Sequence, residues 1–211
     1  MKIKWLGHSC FLLTSSNGIR ILTDPFNEQV GYPLPREEAD IVTTSHDHFD
    51  HNNIGIIRGN FKHIKDSGSF ECGDIEIKGI STFHDDKGGI QRGKNTVFVY
   101  SIDGINVCHL GDLGHCLSEV QVKEIGRIDV LLVPIGGVYT IDSNTAVKVI
   151  KSLNPKISIP MHYKTGYLLF ELDGAESFLA QVSGKQLSSN EITIDRDNLS
   201  EYPEVIALSY I

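Results

Sequence analysis

Through the first two-thirds of the chain, short apolar or β-branched runs alternate with clusters of Gly, Asn, Asp and Pro. Residues 11–14, 19–23, 41–44, 74–78, 97–100, 105–108 and 130–133 are the clearest of these runs. Runs of this length, bounded by turn residues, predict strands. Asn17-Gly18 and Asp103-Gly104 each join two runs, and such pairs tolerate the left-handed backbone of a tight hairpin. The apolar spacing changes to three and four after His51 and at 117–125, 145–153 and 175–182, which predicts helices there. The 145–153 segment follows three capping candidates, Asp142, Ser143 and Asn144, and stops at Asn154-Pro155. No low-complexity linker interrupts the pattern, so the expectation is one α/β layered domain over residues 1–211.

The pattern also repeats. FLLTSSNGIRIL at 11–22 resembles VFVYSIDGINVC at 97–108, and each hairpin is followed by an aspartate, Asp24 and Asp112. Ala39-Asp40-Ile41-Val42 then echoes Ile128-Asp129-Val130-Leu131. Two similar β-rich halves predict a pseudo-two-fold fold with a site where the halves meet.

Composition narrows the partners. The net charge is −8, which lacks the basic footprint of a general nucleic-acid binder. The longest apolar run, 130–138, is broken by Pro134 and two glycines and falls short of the roughly 20 residues of a membrane span. Gly7-His8-Ser9 follows after only six residues, so no signal peptide is read and a cytoplasmic location is expected. Cys10, Cys72, Cys108 and Cys116 show no C-x-x-C spacing and are expected to be reduced and mostly buried. Cys116, next to His115, keeps a redox or ligand role open.

The chemistry concentrates in Thr44-Ser45-His46-Asp47-His48-Phe49-Asp50-His51. The segment follows a predicted strand, so it is a strand-end loop in which His46 and His48 can point the same way. Asp50 and His51 can address a second point nearby. Imidazole with carboxylate suits Zn²⁺, with Mn or Fe as alternatives. Two divalent ions need further ligands, and His84, Asp112 and His162 each follow a predicted strand. A carboxylate can bridge two cations, which makes Asp112 the natural shared ligand.

With these residues in place, the sequence resembles the metallo-β-lactamase superfamily. It is most similar to the compact branch of metal-dependent hydrolases that includes the L-ascorbate-6-phosphate lactonase relatives. The resemblance rests on His46–His51, His84, Asp112 and His162, together with Leu6-Gly7-His8-Ser9-Cys10-Phe11, Asp24-Pro25, His109-Leu110-Gly111-Asp112, the 134–140 segment and Ile159-Pro160-Met161-His162-Tyr163. It implies a four-layer αββα sandwich with metals at one edge between the sheets. It also implies that His46, His48 and His84 hold one metal, Asp50, His51 and His162 the other, and that Asp112 serves both. His84 is followed by Asp85-Asp86-Lys87-Gly88-Gly89 without a long insert. Short loops argue against true β-lactamase activity, and a large substrate would need a partner or a second subunit, so a homo-oligomer stays open.

The expected function is a metal-dependent hydrolase in which hydroxide bound to two metals attacks a small anionic ester, lactone or phosphoester. Asp50 would orient the water and take its proton, Asp24 would fix the tautomer of a ligand histidine, and His8 would lie near the substrate. Gly136, Gly137 and Tyr139 would form a rim over the leaving group. His109 and His115 flank Asp112 as candidates for the outer part of the site, while His63 has no assigned part. A ribonuclease or phosphodiesterase, and a non-enzymatic metal-dependent binding module, are the alternatives. The expected partner is a small molecule, with neither nucleic acid nor membrane.

Overall fold

The computed structural model describes residues 1–210. Its strands are β1 (Lys2–Trp5), β2 (Phe11–Thr14), β3 (Arg20–Thr23), β4 (Ile41–Thr43), β5 (Lys62–Ile64), β6 (Gly68–Cys72), β7 (Ile75–Phe83), β8 (Lys94–Ile102), β9 (Ile105–His109), β10 (Val130–Pro134), β11 (Ile157–Met161), β12 (Lys185–Gln186), β13 (Glu191–Thr193) and β14 (Ile206–Ala207). The α-helices are α1 (Glu119–Ile125), α2 (Ser143–Leu153) and α3 (Glu176–Gln181). One sheet has the order β13-β1-β2-β3-β4-β5 and the other β11-β10-β9-β8-β7-β6, while β12 and β14 form a small pair.

The two sheets repeat each other strand for strand. β1, β2 and β3 are mutually antiparallel neighbours, then β3, β4 and β5 run parallel. β7, β8 and β9 do the same before β9, β10 and β11 run parallel. An antiparallel outer strand, β13 or β6, flanks the first member of each set. The pseudo-two-fold relation read from the sequence is therefore present in the topology. At the Asp103-Gly104 hairpin both residues have positive φ, +53° and +74°, the conformation that a tight two-residue turn between twisted strands demands.

Alternation along the strands separates two apolar zones. Ile21 and Ile41 join Val97, Tyr100 and Val107 in the main core between the sheets, whereas Leu22 and Val42 pack outward with Phe26, Val30, Tyr32 and Ile57. Thr43 and Tyr100 join the sheets through a buried hydroxyl–hydroxyl hydrogen bond of 2.7 Å. On the second sheet the outer layer is helical, with Ala146, Val149, Leu153 and Phe178 buried. Ser118 and Gln121 form a capping box on α1, and Asp142 accepts from the Thr145 N–H at the start of α2.

The outer layer of the first sheet departs from the sequence reading. The helix predicted after His51 does not form. Its place is taken by a single 3₁₀ turn, Ile54–Ile56, whose N-terminal Asn53 makes no side-chain cap bond. Gly55 in the turn and the missing cap remove what a helix nucleus needs. That face is covered by this turn, a second 3₁₀ turn at Glu28–Val30 and extended chain.

Candidate metal centre

The sheet directions put chemistry at one edge. β1, β3, β4 and β5 point the same way, and their C-terminal ends lead into His8, Asp24, the 44–51 loop and Lys65. β7, β9, β10 and β11 are likewise co-directional and lead into His84, Asp112, Ile135 and His162. The Asp112 loop depends on Gly111, at φ +55°. A Cβ there would lie 2.4 Å from Asn95 Oδ1 and 2.5 Å from Ser45 Cβ, so no other residue brings the two halves this close.

Asp112 is the centre of the cluster. Its Oδ2 lies 3.1 Å from His84 Nε2, 3.2 Å from His51 Nε2, 3.3 Å from His162 Nε2 and 3.9 Å from His46 Nε2. His46 Nε2 and His48 Nδ1 are 3.0 Å apart. Two donors on one tetrahedral cation, each about 2.0–2.2 Å from it, are about 3.3–3.6 Å apart. The separations around Asp112 therefore bracket those of shared coordination. Donor atoms within 4.8 Å of one another fall into three overlapping sets: His46, His48 and His84; His46, His51 and Asp112; and His8, Asp50, His51 and His162. Both ligand groups inferred from the sequence are brought together, with His8 added to the second.

Protonation makes the same point. His51 Nδ1 is 2.8 Å from Asp24 Oδ2, and a carboxylate only accepts, so Nδ1 carries the proton. In the neutral ring this turns the bare Nε2 lone pair toward Asp112 and Asp50, at 3.2 and 3.5 Å. Burial opposes charge on His51, but the Asp112 and Asp50 carboxylates outweigh it and raise its pKa well above the ordinary value. Burial alone would raise Asp112 and Asp50. His162 and His51 overcome that for Asp112, and His51 overcomes it for Asp50, so both lie well below the usual carboxylate range. Burial and the facing His51 push His46 down to about 3. His51 Nε2, His162 Nε2 and Asp112 Oδ1 are buried without a hydrogen-bond partner. An unpaired buried polar atom costs roughly 1–3 kcal/mol. Converging imidazole nitrogens, ionised carboxylates and orphaned atoms at one point form a donor set that fits divalent cations, and a cation there would take the place of the proton that the carboxylates hold on His51.

The first 161 aligned positions of the chain, residues 2–162, match the family model of the β-lactamase superfamily domain. The chain belongs to the metallo-β-lactamase superfamily. It is 34% identical to a UPF0173 metal-dependent hydrolase of Archaeoglobus fulgidus, with 89% of this chain and 93% of that protein covered. It is 44% identical to a solved protein from Thermotoga maritima described as a Zn-dependent hydrolase of the same superfamily. The TM-score is 0.82, with 98% and 97% of the two chains covered. A metallo hydrolase from Ignicoccus hospitalis, at 24% identity and a TM-score of 0.68 over 86% and 90% of the chains, shares the fold. The activity class is that of a metal-dependent hydrolase.

The metallo-β-lactamase cluster is held by a surrounding set of hydrogen bonds. Asp24 accepts from the Ser45 N–H at 2.7 Å and the Ser45 hydroxyl at 2.6 Å as well as from His51. Burial raises its pKa, but the hydrogen bond from His51 outweighs this and keeps it ionised. Burial and neighbouring His162 lower the His8 pKa to about 4, so the ring is neutral and its Nε2–H donates to Asp50 Oδ2 at 3.2 Å. His8, Asp24 and His162 all have positive φ, +52°, +40° and +51°, a left-handed strain that collects at functional positions. His109 donates from Nε2 to the Ser9 carbonyl at 2.8 Å and accepts the Gly111 N–H at Nδ1. His115 accepts the Phe83 N–H beside His84. Both histidines shape loops. His63 bonds Thr44 Oγ1 away from the cluster.

Three contributors escaped the sequence reading. Ser45 links Asp24 to the histidine loop, and Asn95 accepts the Asp112 N–H at 2.9 Å. Asp85 gathers the N–H groups of Lys87, Gly89, Gln91 and Arg92 and so shapes the loop after His84. An asparagine two residues before the apolar 97–100 run was the signal for Asn95. Ser45 and Asp85 carried none beyond adjacency to a ligand candidate.

At the mouth, Gly136 is buried, and a Cβ there would lie 2.2 Å from the His162 carbonyl oxygen. It and Gly137 form the floor of a turn, while Tyr139 reaches the rim. The four cysteines are free: Cys10 and Cys108 are buried, Cys72 is half-buried and Cys116 is exposed. Cys116 is absent from the donor sets among the described residues. No helix among those residues is long and apolar enough to cross a membrane.

Proposed function

We propose that this chain, acting as one domain, hydrolyses a small anionic ester, lactone or phosphoester with two divalent cations, Zn²⁺ in preference to Mn or Fe. The observation that carries the reading is the convergence of both donor groups on Asp112 Oδ2, at 3.1 Å from His84 and 3.2 and 3.3 Å from His51 and His162. His46, His48 and His84 would hold one cation, Asp50, His51 and His162 the other, with Asp112 available to both. Bound cations lower the pKa of water and polarise the scissile bond. Asp50 orients the attacking water and accepts its proton at the carboxylate oxygen that His8 does not engage. The His8 Nε2–H fixes the rotation of that carboxylate. Asp24 holds the proton on His51 Nδ1, so that Nε2 faces the centre as an acceptor. Tyr139, Gly136 and Gly137 border the leaving-group side, and the short loops limit substrate size.

The test loads purified protein with Zn²⁺ or Mn²⁺, measures metal by elemental analysis, and screens lactone, phosphodiester, thioester, carboxylic ester and RNA substrates. Two cations per chain and turnover of a small ester or lactone are expected. A stoichiometry that stays at one after reconstitution defeats the two-cation assignment, and cleavage confined to RNA defeats the substrate class.

A further inference from the structure

The loop after His84 carries a cation that the hydrolytic chemistry does not use. Arg92 is half-buried, and its guanidinium carbon lies 4.7 Å above the centre of the Tyr139 ring. Among the described residues its side chain makes no ion pair or hydrogen bond, and only its backbone N–H is engaged, by Asp85. Stacking on an aromatic face holds a guanidinium in place while leaving its in-plane donors free. Arg92 also lines a cavity of about 500 Å³ whose wall includes the ligands His46 and His48. Lys65 and Lys94 add positive charge to that wall, against Asp47 and Asp66. The cavity is thus slightly cationic on a chain of net charge −8.

The Tyr139 ring begins an apolar row. It meets Phe170 edge-on at 6.5 Å, Phe170 meets Phe49 at 5.9 Å, and Phe170 meets the His8 ring at 5.8 Å. Phe49 and Tyr139 are 43% and 37% exposed, and Val138 beside them is more exposed still. Exposed large apolar side chains gathered at the rim of a polar cluster mark a surface that contacts a ligand. The row runs from the His8 and Asp50 side of the centre to Arg92.

We propose that Arg92 is a specificity-determining residue. It receives a carboxylate or phosphate group remote from the scissile bond, on a substrate whose planar apolar body lies along Phe49, Phe170 and Tyr139. The substrate is then an aryl or similarly flat ester, lactone or phosphoester with a second negative charge. The inference rests on the hydrolase reading for the bond cleaved, and on the mouth alone for the two recognition elements. A guanidinium matches either anion through paired N–H donors.

Calorimetric binding to the Zn²⁺-loaded protein tests it with three probes: methylphosphonate, phenylphosphonate and 4-phosphonobenzoate. The second adds a ring to the first, and the third adds a remote carboxylate. Affinity is expected to rise in that order, by about tenfold for the carboxylate. Arg92→Gln should erase the carboxylate step and leave methylphosphonate binding unchanged, while Arg92→Lys keeps part of the step. Phe170→Ala should shrink the ring step, with circular dichroism checking the fold of each variant. An Arg92→Gln protein that ranks the three probes as the wild type does overturns the proposal, as does a wild type that binds all three alike. If the substrate panel shows no hydrolysis and the probe ranking still holds, the hydrolase reading fails and the recognition surface stands.

Discussion

Asp24 and Asp112 occupy matching places in the two halves, each just beyond the second strand of a repeated hairpin, and they bracket one imidazole. Asp24 takes the Nδ1 side of His51 at 2.8 Å and Asp112 faces Nε2 at 3.2 Å. The difference lies in what else each carboxylate touches. Ser45 supplies Asp24 with two further donors, so its acceptor capacity is spent on protein N–H and O–H groups. Asp112 Oδ1 has no partner and Oδ2 faces several imidazoles. The fold duplicates a position, and the local donors decide whether the carboxylate is taken up by protein groups or left open toward the centre. His8 and His84 repeat the lesson, since they follow β1 and β7. His84 points to Asp112, whereas His8 donates to Asp50.

Breaking the pair tests this division most strongly. Asp112→Ala should abolish turnover and strip most bound metal, whereas Asp24→Ala should weaken metal affinity by about 10–100-fold. Elemental analysis after dialysis against graded chelator checks both, and equal losses would place the two aspartates in one role. The histidine pair sharpens the same distinction. His84→Ala should lower the metal count by about one per chain, while His8→Ala should keep the count and reduce kcat by roughly tenfold or more through a misoriented Asp50.

A smaller effect belongs to the seam between the halves. Tyr100→Phe strands the Thr43 hydroxyl in the core, and should cost about 1–3 kcal/mol in urea unfolding without altering metal content. The weakest is at the hairpin tips, where Ser16 of the first half donates its N–H and hydroxyl to Asp103 of the second, at 2.7 and 2.8 Å. Burial would raise the Asp103 pKa, but the Ser16 bonds outweigh it and lower it from 3.8. Stability from this group is therefore present above pH 3.8 and lost as pH falls through the lower folded value. Asp103→Asn should destabilise by about 1 kcal/mol at pH 7, because Asp103 itself is exposed although the Met1 ammonium that it also faces, at 3.2 Å, is buried. The gap from wild type should close in acid.

The sequence showed the strands that are buried on both faces and the loops whose residues have unusual chemistry. β10 is entirely buried and reads as an unbroken apolar run, whereas the equally buried β11 is interrupted by Ser158 and Pro160 and was marked chiefly by its place before His162. β5, β6 and β13 were not anticipated, because they lie at or near sheet edges and are half-exposed, which leaves polar residues in most positions. The seven ligand candidates converge because each follows a strand and the strands are co-directional. Arg92 and Phe170 were not legible, since their meaning arises only when loops distant in sequence share one rim.

The edge position of β13 has a further consequence, for synthesis. β1 pairs with β2 within the first residues of the chain, yet its other side is completed only by β13, with Lys2 opposite Thr193. At about 5–20 residues per second, that edge stays open for roughly 10–40 s after β1 leaves the ribosome. An unpaired strand edge invites other chains to join it. The charged side chains of Lys2 and Lys4, later paired with Glu191 and Glu37, stand on the vulnerable strand during that interval and guard the nascent protein against aggregation.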